Sequence, residues 1–468
     1  MKILLISNGM PPQAWGGTES YTAGLAAELQ SRGHDVQVMC GGTWNRGPAA
    51  FNGVEDSTHN GVPVRRLQLN WKRPPDPCKY LYDNPEVSVY LTEYLRENRP
   101  DLVHVTSCER LSAGILREIK AAGLPLVLSL TDFWFLCPRI NLLRSDGENC
   151  TGDTTPAECL ACQMRGSKAY EWSHSLLPNA TASQLLQKMV QYPQVTRRRG
   201  FRGIAADMTD RKAFLREALT WPDVCITASK FVRDVFANAG ATRPIHVMPY
   251  GHELEWLDRY TGKTPSDVVR FGFVGQISES KGVHVLLQAA RLLHERRPCS
   301  FKVIIYGNLD KSASYKARVL ELAKGLPEIE FAGVYHRENS GDVYGSFDIL
   351  TVPSLWYDFP LVIHEAFATK TPVLATDLGG MAEAVADGVN GLRFPRGDSA
   401  ALAERMERIL DEETLLEKLS SATPTVRTVT DEVDELLSLY GGALHASHHA
   451  PAPTGQQWAA PTADPGPA

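Results

Sequence analysis

Three short phrases in fixed order hold most of the chemistry this chain can do: FGFVGQISESKG (271–282), VIIYGN (303–308) and VPSLWYDFPLVIHEAFATKTPVLATDLGG (352–380). Each sets an apolar, strand-like run before a Gly-rich or charged turn at the mouth of a helix. Helix starts of that kind point unpaired backbone N–H groups outward, and Lys281 adds a positive side chain at the same place. The pattern suits a phosphorylated ligand. Glu365 lies at the start of an apolar helix, where an unpartnered carboxylate is costly and a sugar diol would serve as its partner. Asp358 precedes it by one short turn, DFPLV, in which the N–H groups of Phe359, Leu361 and Val362 can meet ligand oxygens. Pro360 has no N–H to offer and sets the turn as the first helical residue.

Alternating strand and helix signals must position these residues. In the first half KILLIS (2–7), DVQVMC (35–40), LVHVT (102–106), LVLSLT (126–131) and VCITAS (224–229) read as buried strands, with helical periodicity clearest at 18–32 and 109–122. In the second half strands are expected at 269–274, 301–306, 348–352 and 373–375, and helices at 283–296, 360–369 and 399–411. Such alternation builds parallel sheets from strand–helix–strand units. A chain of 468 residues exceeds one hydrophobic core. Two doubly wound α/β domains follow, 1–252 and 253–428, linked near MPYGHELEWL (248–257). Residues 133–222 break the alternation as an insertion in the first domain. TDEVDELLSLYG (430–441) reads as an amphipathic helix capped by Thr430 or Asp431, within a segment 429–444. The Pro/Ala-rich stretch 445–468 reads as a disordered tail.

In order and content the three phrases resemble the nucleotide-sugar half of a GT-B glycosyltransferase, specifically the large retaining family 4. The likeness extends over about residues 1–441. It implies two Rossmann-like domains facing each other across a cleft, the first on the acceptor side and the second binding the nucleotide sugar. The last helix would return to the first domain. It also implies an activity: transfer of a sugar from a nucleoside diphosphate to a hydroxyl of a glycan, glycolipid or similar acceptor. Retention of anomeric configuration would come from front-face attack, without an enzyme nucleophile.

The resemblance also assigns roles. Lys281 becomes the pyrophosphate lysine. Gln276 stands where relatives carry arginine; it either donates an uncharged hydrogen bond to the diphosphate or merely ends a strand. Relatives carry two carboxylates separated by seven residues. Glu365 matches the one that holds the ribose. A one-residue deletion makes Asp358 the one beside the transferred sugar, where strict alignment gives Tyr357. Gly307 would lie beside the nucleotide, Val334 would offer its backbone to the base, and Gly379 and Gly380 would abut the donor. In the first domain Gly16 and Gly17 precede a helix capped by Thr18. Their loop would line the acceptor side, with Gly17 touching the donor phosphate. The family's His-Asp pair at a strand end is Thr131-Asp132 here. That loses a near-neutral proton acceptor and leaves Asp132 to orient the acceptor hydroxyl or to cap a turn. Lys281 and helix dipoles would meet the charge on the leaving diphosphate, so no catalytic metal or other cofactor is expected. The departures at Gln276, Thr131 and the carboxylate spacing keep a second reading open: an inactive scaffold of the same architecture that binds a glycan or a partner.

Cys137, Cys150, Cys159 and Cys162 follow the spacing C-x12-C-x8-C-x2-C within the insertion. Four thiolates so spaced can hold a closed, structural zinc; two disulfides or free thiols are the alternatives. The other five cysteines, Cys40, Cys78, Cys108, Cys225 and Cys299, read mostly as core. The basic run RRRGFRG (197–203), with Arg211, Lys212 and Arg216, either faces an acidic acceptor or an anionic membrane, or is a solvated face. Hydrophobic content of 43% and charged content of 22% are those of an ordinary globular protein. A net charge of −6 gives no basic footprint for nucleic acid. The apolar run of MKILLISNGMPP is too short for an export signal, and no stretch approaches a membrane span. A reducing, cytoplasmic setting is expected, with any contact at the inner face of the membrane left to the basic run.

Overall fold

The computed structural model describes residues 1–43, 45–164, 205–356 and 359–449. Strands β1 (Lys2–Ser7), β2 (Asp35–Thr43), β3 (Phe51–His59), β4 (Val62–Leu69), β5 (Leu102–Val105), β6 (Leu126–Ser129), β7 (Val224–Thr227) and β8 (Ile245–Val247) form the first sheet. Their order is β3-β4-β2-β1-β5-β6-β7-β8. Neighbours run parallel except β3 and β4, an edge hairpin. Its two turn residues, Asn60 and Gly61, take φ of 49° and 82°, the left-handed pair that a type I′ turn requires. The second sheet holds β9 (Val269–Val274), β10 (Phe301–Tyr306), β11 (Ile329–Gly333), β12 (Ile349–Val352), β13 (Val373–Thr376) and β14 (Gly391–Phe394). It is wholly parallel, in the order β11-β10-β9-β12-β13-β14. This is the pair of doubly wound domains that the strand and helix alternation led us to expect.

Burial on both faces explains the unbroken apolar strands. In β1, Ile3 and Leu5 pack into a core on one side of the sheet, while Leu4 and Ile6 pack into a core on the other. Strands β3, β4, β8, β11 and β14 were not apparent from the patterning. The helix expected over 109–122 is shorter, Gly114–Ala121. Before it the chain is wound in turns, with Arg110 and Ser112 at φ of 67° and 71°.

Each sheet reverses its strand order once, between β1 and β5 and between β9 and β12. Loops leave such a point in opposite directions and open a crevice at the carboxyl ends of the strands. The first and third sequence phrases end β9 and β12, so the fold delivers both to one crevice.

The two connections between domains run side by side: His252 N–H donates to the Arg427 carbonyl (2.9 Å), and Val429 N–H donates to the His252 carbonyl (3.3 Å). The last helix, Val429–His449, then lies against the helix Gly17–Ser31. Val433, Leu436, Tyr440 and Ala443 form its buried stripe in the first domain's core. The Tyr440 hydroxyl meets His104 Nδ1 (2.7 Å), whose Nε2 meets Ser129 (2.7 Å). The cap of this helix is neither Thr430 nor Asp431. Thr428 and Asp431 bond reciprocally, Asp431 N–H to Thr428 Oγ1 and Thr428 N–H to Asp431 Oδ2, a capping box that puts the cap two residues before Thr430. Residues 450–468 of the expected tail lie outside the described residues.

The run 197–203 also lies outside the described residues. Its companions turn back onto protein. Arg211 is buried over the Trp134 ring and bonds the Trp134 carbonyl, Lys212 bonds the Thr154 carbonyl, and Arg216 bonds the Ala239 carbonyl. Arg211 is thus no solvated residue, whereas Lys212 and Arg216 stay exposed while bonding protein carbonyls. Among the described residues no helix is long and apolar enough to cross a membrane.

Candidate active site

The β9 and β12 exits are locked together. Gly282, at φ of 73°, sits so close to the Pro353 carbonyl that a Cβ would collide with it. The Leu355 N–H donates to the Ser280 carbonyl (2.8 Å). Lys281 therefore stands at a fixed place just before the helix Val283–Arg296, whose N-cap, Gly282, contributes no side-chain bond. Its ammonium lies over the Trp356 ring, 5.4 Å from the centroid. The helix Leu361–Ala368 begins the same way. Its N-cap is Pro360, expected as the first helical residue, so the helix starts one residue later than expected; it has no side-chain cap, and the N–H groups of Leu361 and Val362 open it. Asp358 and Tyr357 lie outside the described residues; the flanking Trp356 and Phe359 both line the interdomain cleft.

Gln276 is exposed, and its Oε1 accepts from Lys311 Nζ (2.9 Å). Lys311 comes from the turn Leu309–Lys311 after β10. It places a cation beside Gln276. Lys311 lies three residues beyond the VIIYGN phrase and was not among the candidates read from the sequence. Gly307 packs on its neighbour loop: a Cβ there would strike the Gly275 carbonyl. Val334, just past β11, is 72% exposed.

Glu365 is half-buried, and its Oε2 accepts from the Tyr344 hydroxyl (2.7 Å). Tyr344 is fully buried and fixes the carboxylate's orientation. Glu365 shares a cavity with Ser20, Tyr250, Glu253 and Arg337, and Arg337 pairs with Glu253 (3.3 Å). A file of rings crosses beside it: Tyr21 to Tyr250 (4.4 Å), Tyr250 to Phe359 (5.4 Å), Phe359 to His364 (4.9 Å) and His364 to His252 (4.8 Å). Burial pushes His252 down to about 3 and His364 down to about 4, so both rings are neutral.

Across the cleft, the helix Gly17–Ser31 is capped by Gly16, not Thr18, and without a side-chain bond. The Glu19 carboxylate folds over the helix start, where a Cβ on Gly16 would strike it, and accepts from Asn8 Nδ2 (3.1 Å). Asn8 Nδ2 also reaches Glu109 Oε2 (3.3 Å). Asp132 does cap a turn, its Oδ1 accepting from Trp134 N–H (2.8 Å). It also lines the cleft cavity with Tyr250, Trp356, Phe359 and Gly380. Desolvation, helped by Glu109 and Glu19, raises Asp132 to about 7, against the Trp134 bond. A carboxyl group that titrates near neutral pH thus lines the cleft. Thr131 bonds the Thr106 carbonyl (3.0 Å). Gly379 opens a short helix, Gly379–Ala384, at φ of 52°.

Comparison with known proteins matches this geometry. A glycosyl transferase 4-like domain covers residues 16–148, and a domain of glycosyl transferases group 1 covers residues 269–412. The chain belongs to the group 1 glycosyltransferases. Its fold is GT-B. A sucrose-phosphate synthase from Thermosynechococcus elongatus superposes with a TM-score of 0.64 at 17% identity, over 95% of this chain and 100% of that one. Anabaena HepE, solved in complex with UDP, does so with a TM-score of 0.61 at 17% identity, over 94% and 100%. Among curated relatives, the D-inositol 3-phosphate glycosyltransferase of Corynebacterium urealyticum is 38% identical over 30% of this chain and 35% of its own. That of Nocardiopsis dassonvillei is 31% identical over 42% and 50%. The chain thus spans between a third and a half of the length of these relatives. In this group 1 member the domains also touch directly: Glu383 accepts from the N–H groups of Lys230 (3.0 Å) and Phe231 (3.1 Å), capping a helix of the other domain.

Proposed function

We propose that the chain transfers a sugar from a nucleoside diphosphate sugar to a hydroxyl of a glycan, glycolipid or similar acceptor, with retention and without a catalytic metal. The observation that carries this is the joining of the β9 and β12 exits at the strand-order reversal. It brings Lys281, the helix starts at Val283 and Leu361, and Glu365 to one crevice, opposite Asp132. The nucleotide ribose would lie on Glu365, held by Tyr344, and the base near Val334 and Gly307. The diphosphate would face Lys281, Gln276 with Lys311, and the N–H groups of Phe359, Leu361 and Val362. Asp358 would stand beside the transferred sugar, with Gly379 and Gly380 behind it.

The bond from C1 to the β-phosphate oxygen breaks as the acceptor oxygen bonds C1 on the same face. The acceptor proton leaves with the diphosphate. Fixed cations at the leaving oxygen are what such a step needs most. Asp132 orients the acceptor hydroxyl. The lysines supply that charge in this reading, so turnover is unchanged whether Mg²⁺ is added or withheld.

A UDP sugar is the first donor to try, since HepE holds UDP. The test is thermal unfolding of wild type and Glu365→Ala with UDP, GDP and ADP. A nucleotide at about a hundred times its Kd stabilises by roughly 2.7 kcal/mol. One nucleotide should protect wild type and leave the variant unmoved. A second reading, binding without turnover, is favoured by the Glu19 carboxylate over Gly16. It predicts nucleotide protection with no release of UDP from UDP-sugars, with or without acceptor.

A further inference from the structure

Between β6 and β7 the chain leaves the sheet and makes a small loop-rich body with its own chemistry. Cys137, Cys150, Cys159 and Cys162, far apart in sequence, line one cavity with Arg139, Arg144, Thr154 and Glu158. All four are half-buried free thiols. Three of the sulfurs have donors aimed at them. Cys137 receives the N–H groups of Arg139 and Leu142, Cys162 receives the Ser145 N–H (3.4 Å), and Cys159 lies 3.1 Å from the Thr154 hydroxyl. The loop that aims them is wound tightly: Ile140 and Leu142 take φ of 72° and 51°, a conformation that β-branched isoleucine rarely adopts. Such a conformation persists only where the surroundings over-determine it.

We propose that these four cysteines bind one Zn²⁺ as a closed structural site that braces the adjoining hairpin 143–149 against the second domain. As they stand, the thiols are not gathered: among the described residues no three His, Cys, Asp or Glu side chains are arranged to hold a metal ion. Neutral thiols have no attraction that would gather them, and a divalent cation supplies it. On binding, each thiol loses its proton to solvent, and the doubly negative tetrathiolate is faced by Arg139 and Arg144. No position stays open for catalysis.

The hairpin gives the site a purpose. It is closed by the Leu143 and Asn149 bridge and turned at Gly147. Its tip reaches Arg396 of the second domain, which bonds the Gly147 carbonyl, pairs with Glu148 (3.5 Å) and bonds the Leu355 carbonyl (2.6 Å). The Asn149 amide, oriented to satisfy its neighbours, donates to the same Leu355 carbonyl (3.1 Å). Leu355 is the residue tied to Ser280, beside Lys281. The cysteine body thus leans on the joint between the two donor-side loops.

The test is the zinc content of the freshly purified, reduced full chain by inductively coupled plasma mass spectrometry, before and after incubation with Zn²⁺ and gel filtration. About one zinc per chain is expected, released by a thiol-specific mercurial. It should be lost in Cys159→Ser/Cys162→Ser and kept in Cys299→Ser, whose cysteine is exposed and remote in sequence. Amide exchange in 143–149 should speed up at least about tenfold in the zinc-free variant. Less than about a tenth of a zinc per chain after incubation overturns the proposal. So does a thiol titration in denaturant that finds two disulfides in place of nine thiols, or iron with inorganic sulfide in place of zinc. The wild-type measurements decide even if the double variant fails to fold.

Discussion

At the scale of single residues, the site compensates for its departures from the family pattern with groups placed nearby. Gln276 brings no charge, yet Lys311 reaches it from the next loop. Lys281→Ala should lower kcat by about a hundredfold, the usual cost of one fixed donor at a leaving oxygen. Lys311→Ala, on an exposed side chain, should weaken UDP binding only about threefold to tenfold and leave uridine binding unchanged. Calorimetric titration of both ligands separates diphosphate from nucleoside contributions; equal losses for the two would remove Lys311 from the site. Gly17 offers a different test. Nothing lies within 4 Å of a Cβ built there, so Gly17→Ala should raise stability by about 0.5 kcal/mol through the unfolded chain. If the donor phosphate approaches that backbone, the same variant loses donor affinity while its melting temperature rises. An alanine that costs no affinity would place the phosphate elsewhere.

At the scale of elements, the joint between the β9 and β12 exits holds the site in register. Gly282→Ala meets both a left-handed φ and the Pro353 carbonyl. We expect a loss of at least about 2 kcal/mol in urea unfolding, with kcat falling further than KM rises because Lys281 shifts. A neutral variant would mean the two loops part readily. Most of these elements were legible. The strands β9, β10, β12 and β13 are largely apolar runs and were expected, as were the helices after β9 and β12; the helices Ala313–Ala323 and Gly379–Ala384, after β10 and β13, were not. Patterning misses what lies at sheet edges. Strands β3 and β4 mix charged and apolar residues because one is an edge, and only Asn60-Gly61 marked their turn. The helix cap at Thr428 was missed for a simpler reason: Thr430 and Asp431 are also good caps, and the choice depends on where the chain crosses from His252.

At the scale of the molecule, the last helix and the two crossings beside it bind the domains into one cleft. Glu432 on that helix is buried, and its Oε2 accepts from the Gly251 N–H (2.6 Å). Burial raises its carboxyl from 4.5 to about 7. The folded state therefore holds this proton more tightly than the unfolded chain does. The stability it contributes is full below about pH 4.5 and is lost as pH rises through about 7. Between pH 4.5 and 8 this group alone should remove up to about 3 kcal/mol. Asp132, raised to about 7, acts in the same direction. Glu432→Gln keeps the acceptor for Gly251 and should flatten the profile, leaving the variant more stable than wild type at pH 8 and about equal at pH 5. Thermal melts across that range would expose an unchanged slope, which would clear Glu432 of the effect.

The sequence by itself determined the two doubly wound domains, the family likeness, and the loops that carry Lys281 and Glu365. These are local properties: apolar runs of strand length and glycines in turns are written in consecutive residues. Only the tertiary structure decided which distant side chains meet. It set Lys311 beside Gln276, Tyr344 under Glu365, the Glu19 carboxylate over Gly16, and Arg396 against the cysteine hairpin. Such meetings depend on strand order and on how two domains settle against each other. No spacing along the chain encodes them, because each joins residues whose separation in sequence is arbitrary and whose contact exists only once both sheets have formed.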